Sequence, residues 1–476
     1  MRERWRLPPC LARVATILSV AFAWPFFTYA QGFGVGRTTT TSTCDAAVQR
    51  TQLVSPSIGW AILVEPSDHP VDYDDCAHQH IYWTENNGKT WREITPPRMP
   101  TRSIGHVYFL DRFHGWIIST DALNEEVDAR FYLYSTEDGG KTWHTLLIQR
   151  ASYDLRDDTF PSHIVFTDAR HGWMLWHWSM MNSMSESLLA TADGGRTWRR
   201  LPDPPGPGPV SFISARDGWM VGASEVFQGI PNYENEELWA THDGGMHWQA
   251  LHAALPTPGK DQSAAFSAVK FKNALEGVAL AGVAPYTLRP DDVWRAFAYF
   301  THDGGKTWHF SPPDNPSAYR IDASIVGTHV IWFLSDFQGN NVEIQKASHA
   351  IKPVFPSELS PDKYLSDPVF NDDLNGWIIY SDRGPRFDAQ GKRLASSGLL
   401  STKDGGMTFQ VISPPAVTKS VPISMTKPKK HCDEPTEVSV GNWRTAQPLI
   451  RNSRVPAPVA RRANPCAPLS PQPSAL

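Results

Sequence analysis

Six positions of this 476-residue chain repeat one acidic context: Asn86, Asp138, Asp193, Asp243, Asp303 and Asp404. Each stands two residues after a Thr, just before one or two Gly, and five residues before a Trp or Phe. Carboxylates supply general acid–base and glycosidic chemistry, but only where they converge on one bond. Six of them spaced about 50 residues apart belong to separate copies of a repeat and cannot cooperate on one substrate. Asp before Gly-Gly is instead a tight-turn signal, because Gly accepts positive φ and Asp hydrogen-bonds the turn amides. All six are therefore expected to be structural.

Three other groups could carry chemistry. Asp68-His69 and the run from Asp72 to His80 combine acids and imidazoles, the ligand types of a divalent metal. Their spacing matches no recognised ligand signature, so no metal is assigned. Trp176 and Trp178, followed by Met180, Met181 and Met184, form either an adaptable apolar contact surface or a plug against neighbouring structure. Arg289, Trp294 and Arg295, with Arg383 and Arg386 further on, could hold an anionic or sugar-like ligand. Interleaved Asp291, Asp292 and Asp388 equally well pair with those arginines at the surface. No Ser-His-Asp, phosphate-loop or zinc spacing occurs, and no catalytic residue or cofactor is assigned.

The elements that must position these groups are strands. A short apolar run precedes each acidic turn and another follows it, as in Phe131–Tyr134 and Trp143–Ile148, which reads as a β-hairpin. A second element, Gly-Trp followed by apolar residues, places Trp60, Trp116, Trp173, Trp219 and Trp377 upstream of the hairpins. Gly277-Val278 and Ile331-Trp332 hold the same place in the rhythm. The Asp303-to-Asp404 gap is two units long, so a degenerate hairpin is expected near 344–355. Both counts give seven units of four strands, and the fold expected is all-β: a seven-bladed β-propeller of four-stranded antiparallel blades.

The octapeptides resemble the Asp-box, or BNR repeat. The wider unit is most similar to photosystem II assembly-factor-like propellers and to the sialidase superfamily, over roughly residues 45 to 415. That resemblance implies Asp-boxes lying away from the ligand face, so the site is sought on the opposite, loop-rich face. A sialidase would need a Tyr nucleophile, carboxylate partners and three arginines, the first in an Arg-Ile/Leu-Pro motif near the propeller start. Here Arg6-Leu-Pro8 falls in the N-terminal segment, and Arg200-Leu-Pro202 follows the third hairpin. Xyloglucanases of this type combine two propellers, and this chain has length for one. The expectation is an exported, non-enzymatic scaffold or assembly factor of the cell envelope that binds a protein, polymer or carbohydrate. The alternatives are a divergent sialidase-like glycoside hydrolase and a carbohydrate-binding surface module.

Composition frames this reading. Residues 1–30, with Arg2, Arg4, Arg6 and Arg13 before an apolar run, read as a secretory signal, too short in its apolar part to span a membrane. A Thr-rich linker (31–44), the propeller (45–418) and a Pro-rich basic tail (419–476), expected to be disordered, complete the chain. The product is expected to be periplasmic or extracellular and monomeric. With Cys10 removed, Cys44, Cys76, Cys432 and Cys466 remain as disulfide candidates. Strand order places Cys44 and Cys76 on one face, which leaves Cys432 and Cys466 for the tail. The tail carries nine Lys or Arg against three acids, so the net charge of −5 conceals a strongly acidic body, unlike a nucleic-acid platform.

Overall fold

The computed structural model describes residues 47–64, 79–100, 104–120, 130–150, 158–180, 183–206, 208–223, 226–227, 230–231, 236–257, 259, 262–285, 295–311, 320–335, 342–346, 349–357, 359, 363–382 and 397–413. The expected signal, linker and tail, and Cys44, Cys76, Cys432 and Cys466, lie outside them. Seven four-stranded antiparallel sheets follow one another along the chain as the blades of a propeller. Blade 1 consists of Ala47–Leu53, Gly59–Val64, Gln79–Thr84 and Arg92–Glu93. The innermost strands of the other blades are Ile104–Phe109, Asp158–Phe166, Val210–Phe212, Gln262–Phe271, Arg320–Val326 and Lys363–Phe370. Blade 4 adds a small hairpin, Val226–Phe227 with Ile230–Pro231, between its second and third strands. The degenerate hairpin is present in blade 6, where Val342–Lys346 pairs with His349–Ile351.

The acidic octapeptides close each hairpin by a fixed set of hydrogen bonds. In blade 2 the Thr136 hydroxyl donates to Asp138 Oδ1 and accepts the Gly140 amide. Asp138 also accepts from the Lys141 and Thr142 amides and from the Thr142 hydroxyl at 2.6 Å. Asn86 reproduces the shape with one bond reversed: its Nδ2 donates to Thr90 Oγ1, while its Oδ1 accepts from the Thr84 hydroxyl and the Thr90 amide. The first Gly of the box has positive φ, 72° at Gly139, and its amide donates to Phe113 O in the turn between the first two strands. A Cβ at Gly139 would sit 2.6 Å from Arg112 O. Glycine therefore serves both the backbone conformation and the close approach of the two turns.

Gly-Trp also has a physical cause. The last residue of the inner strand in blades 2, 3, 4, 5 and 7 is Phe109, Phe166, Phe212, Phe271 or Phe370, and its ring lies over the Gly of its own blade. A Cβ at Gly172 would fall 2.5 Å from Cδ1 and Cε1 of Phe166. In blades 3, 4 and 5 that ring is also stacked by the Gly-Trp tryptophan of the preceding blade. Trp116 stacks on Phe166 with centroids 3.5 Å apart, Trp173 on Phe212 at 3.7 Å and Trp219 on Phe271 at 3.7 Å. The box Trp meets the ring edge-on, as Trp198 does Phe166 at 6.2 Å. Trp116 and Trp173 then donate their indole N–H to the Gly194 and Gly244 carbonyls in the box of the next blade.

Because each blade is sandwiched between two others, its second strand is buried on both faces. Gly59–Val64 and Gly115–Thr120 are buried at every position. The ring closes without exchange of a strand, since blade 7 takes all four strands from its own continuous stretch. Its seam is made by side chains: Val48, Leu53 and Leu63 pack on Trp377, Ile379 and Leu399. Trp377 Nε1 donates to Asn87 Oδ1 at 2.7 Å, and the Val48 amide donates to Ser397 Oγ at 2.8 Å.

Candidate functional site

The seven inner strands surround a central cavity of about 440 Å³. Six blades place an ionisable side chain in its wall: Arg50, His106, His163, Lys270, Asp322 and Asp367. Arg50, His106 and His163 occupy one rung of the ladder in three successive blades. They pair with Ile62, Ile118 and Leu175, each two residues after the Gly-Trp tryptophan. In all three blades the residue just before is an extra one, Gln49, Gly105 or Ser162, at a register shift in the inner strand. Bulges of this kind bend the strand and re-aim a side chain. Asp367 lies in the corresponding irregularity of blade 7, with a positive φ of 50°.

These groups are coupled. Arg50 Nη1 donates to Gly105 O of the next blade at 2.6 Å. Burial depresses the Arg50 pKa, and the Asp367 carboxylate opposes that by stabilising the cation. The His106 and His163 rings meet edge-on with centroids 4.7 Å apart. Burial pushes His163 down to about 4. His106 is pushed well below the ordinary imidazole value by burial first, then by His163 and Arg50. Its ring is partly open to the lumen, while its Nδ1 is enclosed without a hydrogen-bond partner. Lys270, across the ring in blade 5, is reached by lumen solvent, yet the surrounding wall lowers its pKa through desolvation. Asp322 is 5% exposed, and both it and Asp367 are engaged by neighbours.

The repeated acids do something different. Burial works against ionisation of Asp138, but the Thr142, Thr136 and Lys141 donors outweigh it and bring its pKa down to about 2. Asp243 reaches about 2 in the same way, burial being outweighed by His247, which replaces the second Thr, and by Thr241. These carboxylates are spent on their turns.

Of the residues proposed from sequence for ligand contact, two have described side chains. Trp176 is 5% exposed and packs edge-on to Phe131 at 5.5 Å in the core between blades 2 and 3. Of the two readings open for it, contact surface or packing, its ring takes the second and is consumed between blades. Arg295 opens the third strand of blade 5, and its Nη2 donates to Gln262 Oε1 at 3.4 Å. Trp178 belongs by its backbone to the second strand of blade 3. Arg289, Trp294, Arg383 and Arg386 lie outside the described residues, as does the acidic loop up to His78. His80, at the end of that loop, is paired with Glu93 at 2.7 Å.

The channel residues carried one signal in the sequence. Arg50, His106 and His163 each stand three residues before the end of an inner strand, at Leu53, Phe109 and Phe166.

The BNR/Asp-box repeat family model matches residues 299–310. No curated protein sequence matches the chain. Among solved structures it is similar to YCF48 bound to D1 peptide, at 17% identity over 65% of this chain and 80% of that one, with a TM-score of 0.39. It is also similar to the GH74 xyloglucanase from Xanthomonas campestris, at 13% identity over 78% of this chain and 61% of that one (TM-score 0.38). The Hadza microbial sialidase Hz136 matches at 13% identity over 64% and 65% (TM-score 0.37). These likenesses concern the fold.

Proposed function

We propose that this protein is an exported binding scaffold of the cell envelope that holds a protein partner or an envelope polymer at its axis and on the face opposite the Asp-boxes. One observation carries the reading. The repeated carboxylates are locked in turns, whereas a second set of ionisable side chains converges on the channel from six blades. A wall of arginine, lysine, two imidazoles and two engaged carboxylates is built to recognise charge. Hydrolysis asks for more: a glycosidase needs two carboxylates free to act on one bond. Tyr108, the tyrosine lining this cavity, donates its hydroxyl to Phe166 O at 2.7 Å and is not poised as a nucleophile. Export rests on the basic and apolar N-terminal segment.

The test has three parts. Full-length protein is incubated with sialosides and β-glucans, and no turnover is expected; enzymatic rates would reverse the conclusion. Fractionated envelope proteins and polymers are titrated for saturable binding, with and without residues 419–476. Cell fractionation with N-terminal sequencing of the mature chain checks export, and a cytoplasmic, unprocessed product contradicts it.

A further inference from the structure

The channel has two halves with unequal needs. On one side Asp367 of blade 7, Arg50 of blade 1, His106 of blade 2 and His163 of blade 3 form a continuous row. Arg50 is partly neutralised by Asp367 and tethered to Gly105 O. On the other side Lys270 has no hydrogen bond or ion pair among the described residues. Asp322 of blade 6, the remaining charged group of the wall, already has a partner. So the cavity wall presents an uncompensated ammonium on one side and, on the other, an arginine beside two imidazoles in edge contact.

We propose that the channel is a proton-coupled oxyanion site: a carboxylate, phosphate or sulfate group enters between Lys270 and the Arg50–His106–His163 row, and its arrival recruits a proton onto the imidazole pair. This rests on the binding reading above and deepens it. Two imidazoles in edge contact beside a guanidinium resist protonation, because the added charge faces like charge in a poorly solvated wall. An anion inverts that balance. It accepts from Lys270 and Arg50, and a protonated imidazole becomes a further charge-assisted donor. A divalent metal would meet the same imidazoles but also the Arg50 and Lys270 charges, so the wall selects against cations. The cavity of about 440 Å³ admits a small anion or one group of a longer chain.

Inorganic sulfate is the probe, because its charge does not change in the imidazole range, and a short sulfated glucan represents the same group on a polymer. Calorimetric titration of the full chain at about pH 5.5 and about pH 7.5, in buffers of differing ionisation enthalpy, reads affinity and proton uptake together. If one imidazole returns to about 6.5 on binding, sulfate binds about tenfold more tightly at the lower pH and takes up close to one proton. Lys270→Met weakens binding at both pH values. The double variant His106→Asn/His163→Gln keeps residual affinity but loses the pH dependence and the proton uptake. Tighter binding of the sulfated glucan than of sulfate indicates a polymer-borne group; equal binding indicates a free anion, and both support the site. Histidine proton NMR on the unaltered protein provides a readout that no variant can spoil: sulfate must raise the pKa of at least one imidazole of the pair.

The proposal is overturned if sulfate fails to bind, if Lys270→Met binds as tightly as the unaltered chain, or if the pH dependence survives in the histidine double variant. Zinc binding lost in that variant, without sulfate binding, also overturns it. Absent sulfate binding with macromolecular binding intact removes this inference alone, whereas loss of both removes the scaffold reading beneath it.

Discussion

Gly172→Ala tests the Gly–Phe–Trp stack on which the ring depends. The new methyl carbon would lie 2.5 Å from two carbons of Phe166, about 1 Å inside an ordinary carbon–carbon contact of about 3.5–4.0 Å. Phe166 cannot withdraw: Trp116 is stacked 3.5 Å from it at an interplanar angle of 6°, and the ring is 1% exposed. Overpacking of this kind costs about 1–3 kcal/mol, offset by up to about 1 kcal/mol of reduced unfolded-state entropy. A net loss of about 1–2 kcal/mol is expected. At about 2.1 cal/mol/K per residue, a ring of roughly 370 residues loses about 1.3 °C of Tm per kcal/mol, so the shift is about 1–3 °C. Urea unfolding followed by tryptophan fluorescence is the better assay, read as a midpoint change at constant slope. Phe166→Ala alone should cost about 3–5 kcal/mol. On that background Gly172→Ala should become neutral or stabilising, a coupling of about 1–3 kcal/mol. The stack is refuted as the cause of the glycine if Gly172→Ala is silent in the unaltered chain, or if the two substitutions are simply additive.

Three further outcomes follow from the same geometry. Asp138→Asn should stay within about 0.5 kcal/mol of the unaltered protein, because Asn86 already makes this turn with an amide, whereas Asp138→Ala should cost about 1–2 kcal/mol in urea unfolding. Asp138 and Asp243 ionise near 2 in the fold against about 3.9 unfolded, so their contribution is full above about pH 4 and is lost as pH falls toward 2. A urea midpoint that holds steady between those values would contradict this. His163 acts in a higher window: at about 4 folded against about 6.5 unfolded, the unfolded chain takes its proton first. Stability therefore declines as pH falls from about 6.5 to 4 and levels off below, and His163→Gln should flatten that slope.

Much of the architecture was legible because its cause is local. Asp-Gly-Gly turns and Gly-Trp strands recur with their own chemistry, and their rhythm pointed to a hairpin near 344–355, where Val342–Lys346 pairs with His349–Ile351 without Asp or Gly. Legibility stopped where the cause is distant. The Gly of Gly-Trp is explained by Phe166 or Phe212, which lie on another strand and look like ordinary strand-end residues until a Trp from the preceding blade stacks on them. Trp176 in its Met-rich context had the composition of a contact surface, and only the neighbouring Phe131 shows it to be core. The channel was hidden most completely. Arg50, His106, His163, Lys270, Asp322 and Asp367 span more than 300 positions, and closure of the ring is what brings them together. For Arg50, His106 and His163 even the face of the strand depends on a bulge, which breaks the two-residue alternation used to read strands.

The seam between blades 7 and 1 is held by rings and hydrogen bonds of the same kinds found at the other junctions, and no strand crosses it. Topologically the ring then has no first blade. A circular permutant opened between blades 3 and 4, with its old ends joined by a flexible linker, retains every blade as one continuous stretch of chain. The same property makes the blade the natural unit of duplication or loss, since a gained or deleted copy leaves no orphaned strand behind. What such a change would alter is the bore: each blade contributes one stave to the channel, so the number of copies sets both its width and the roster of charges it can present.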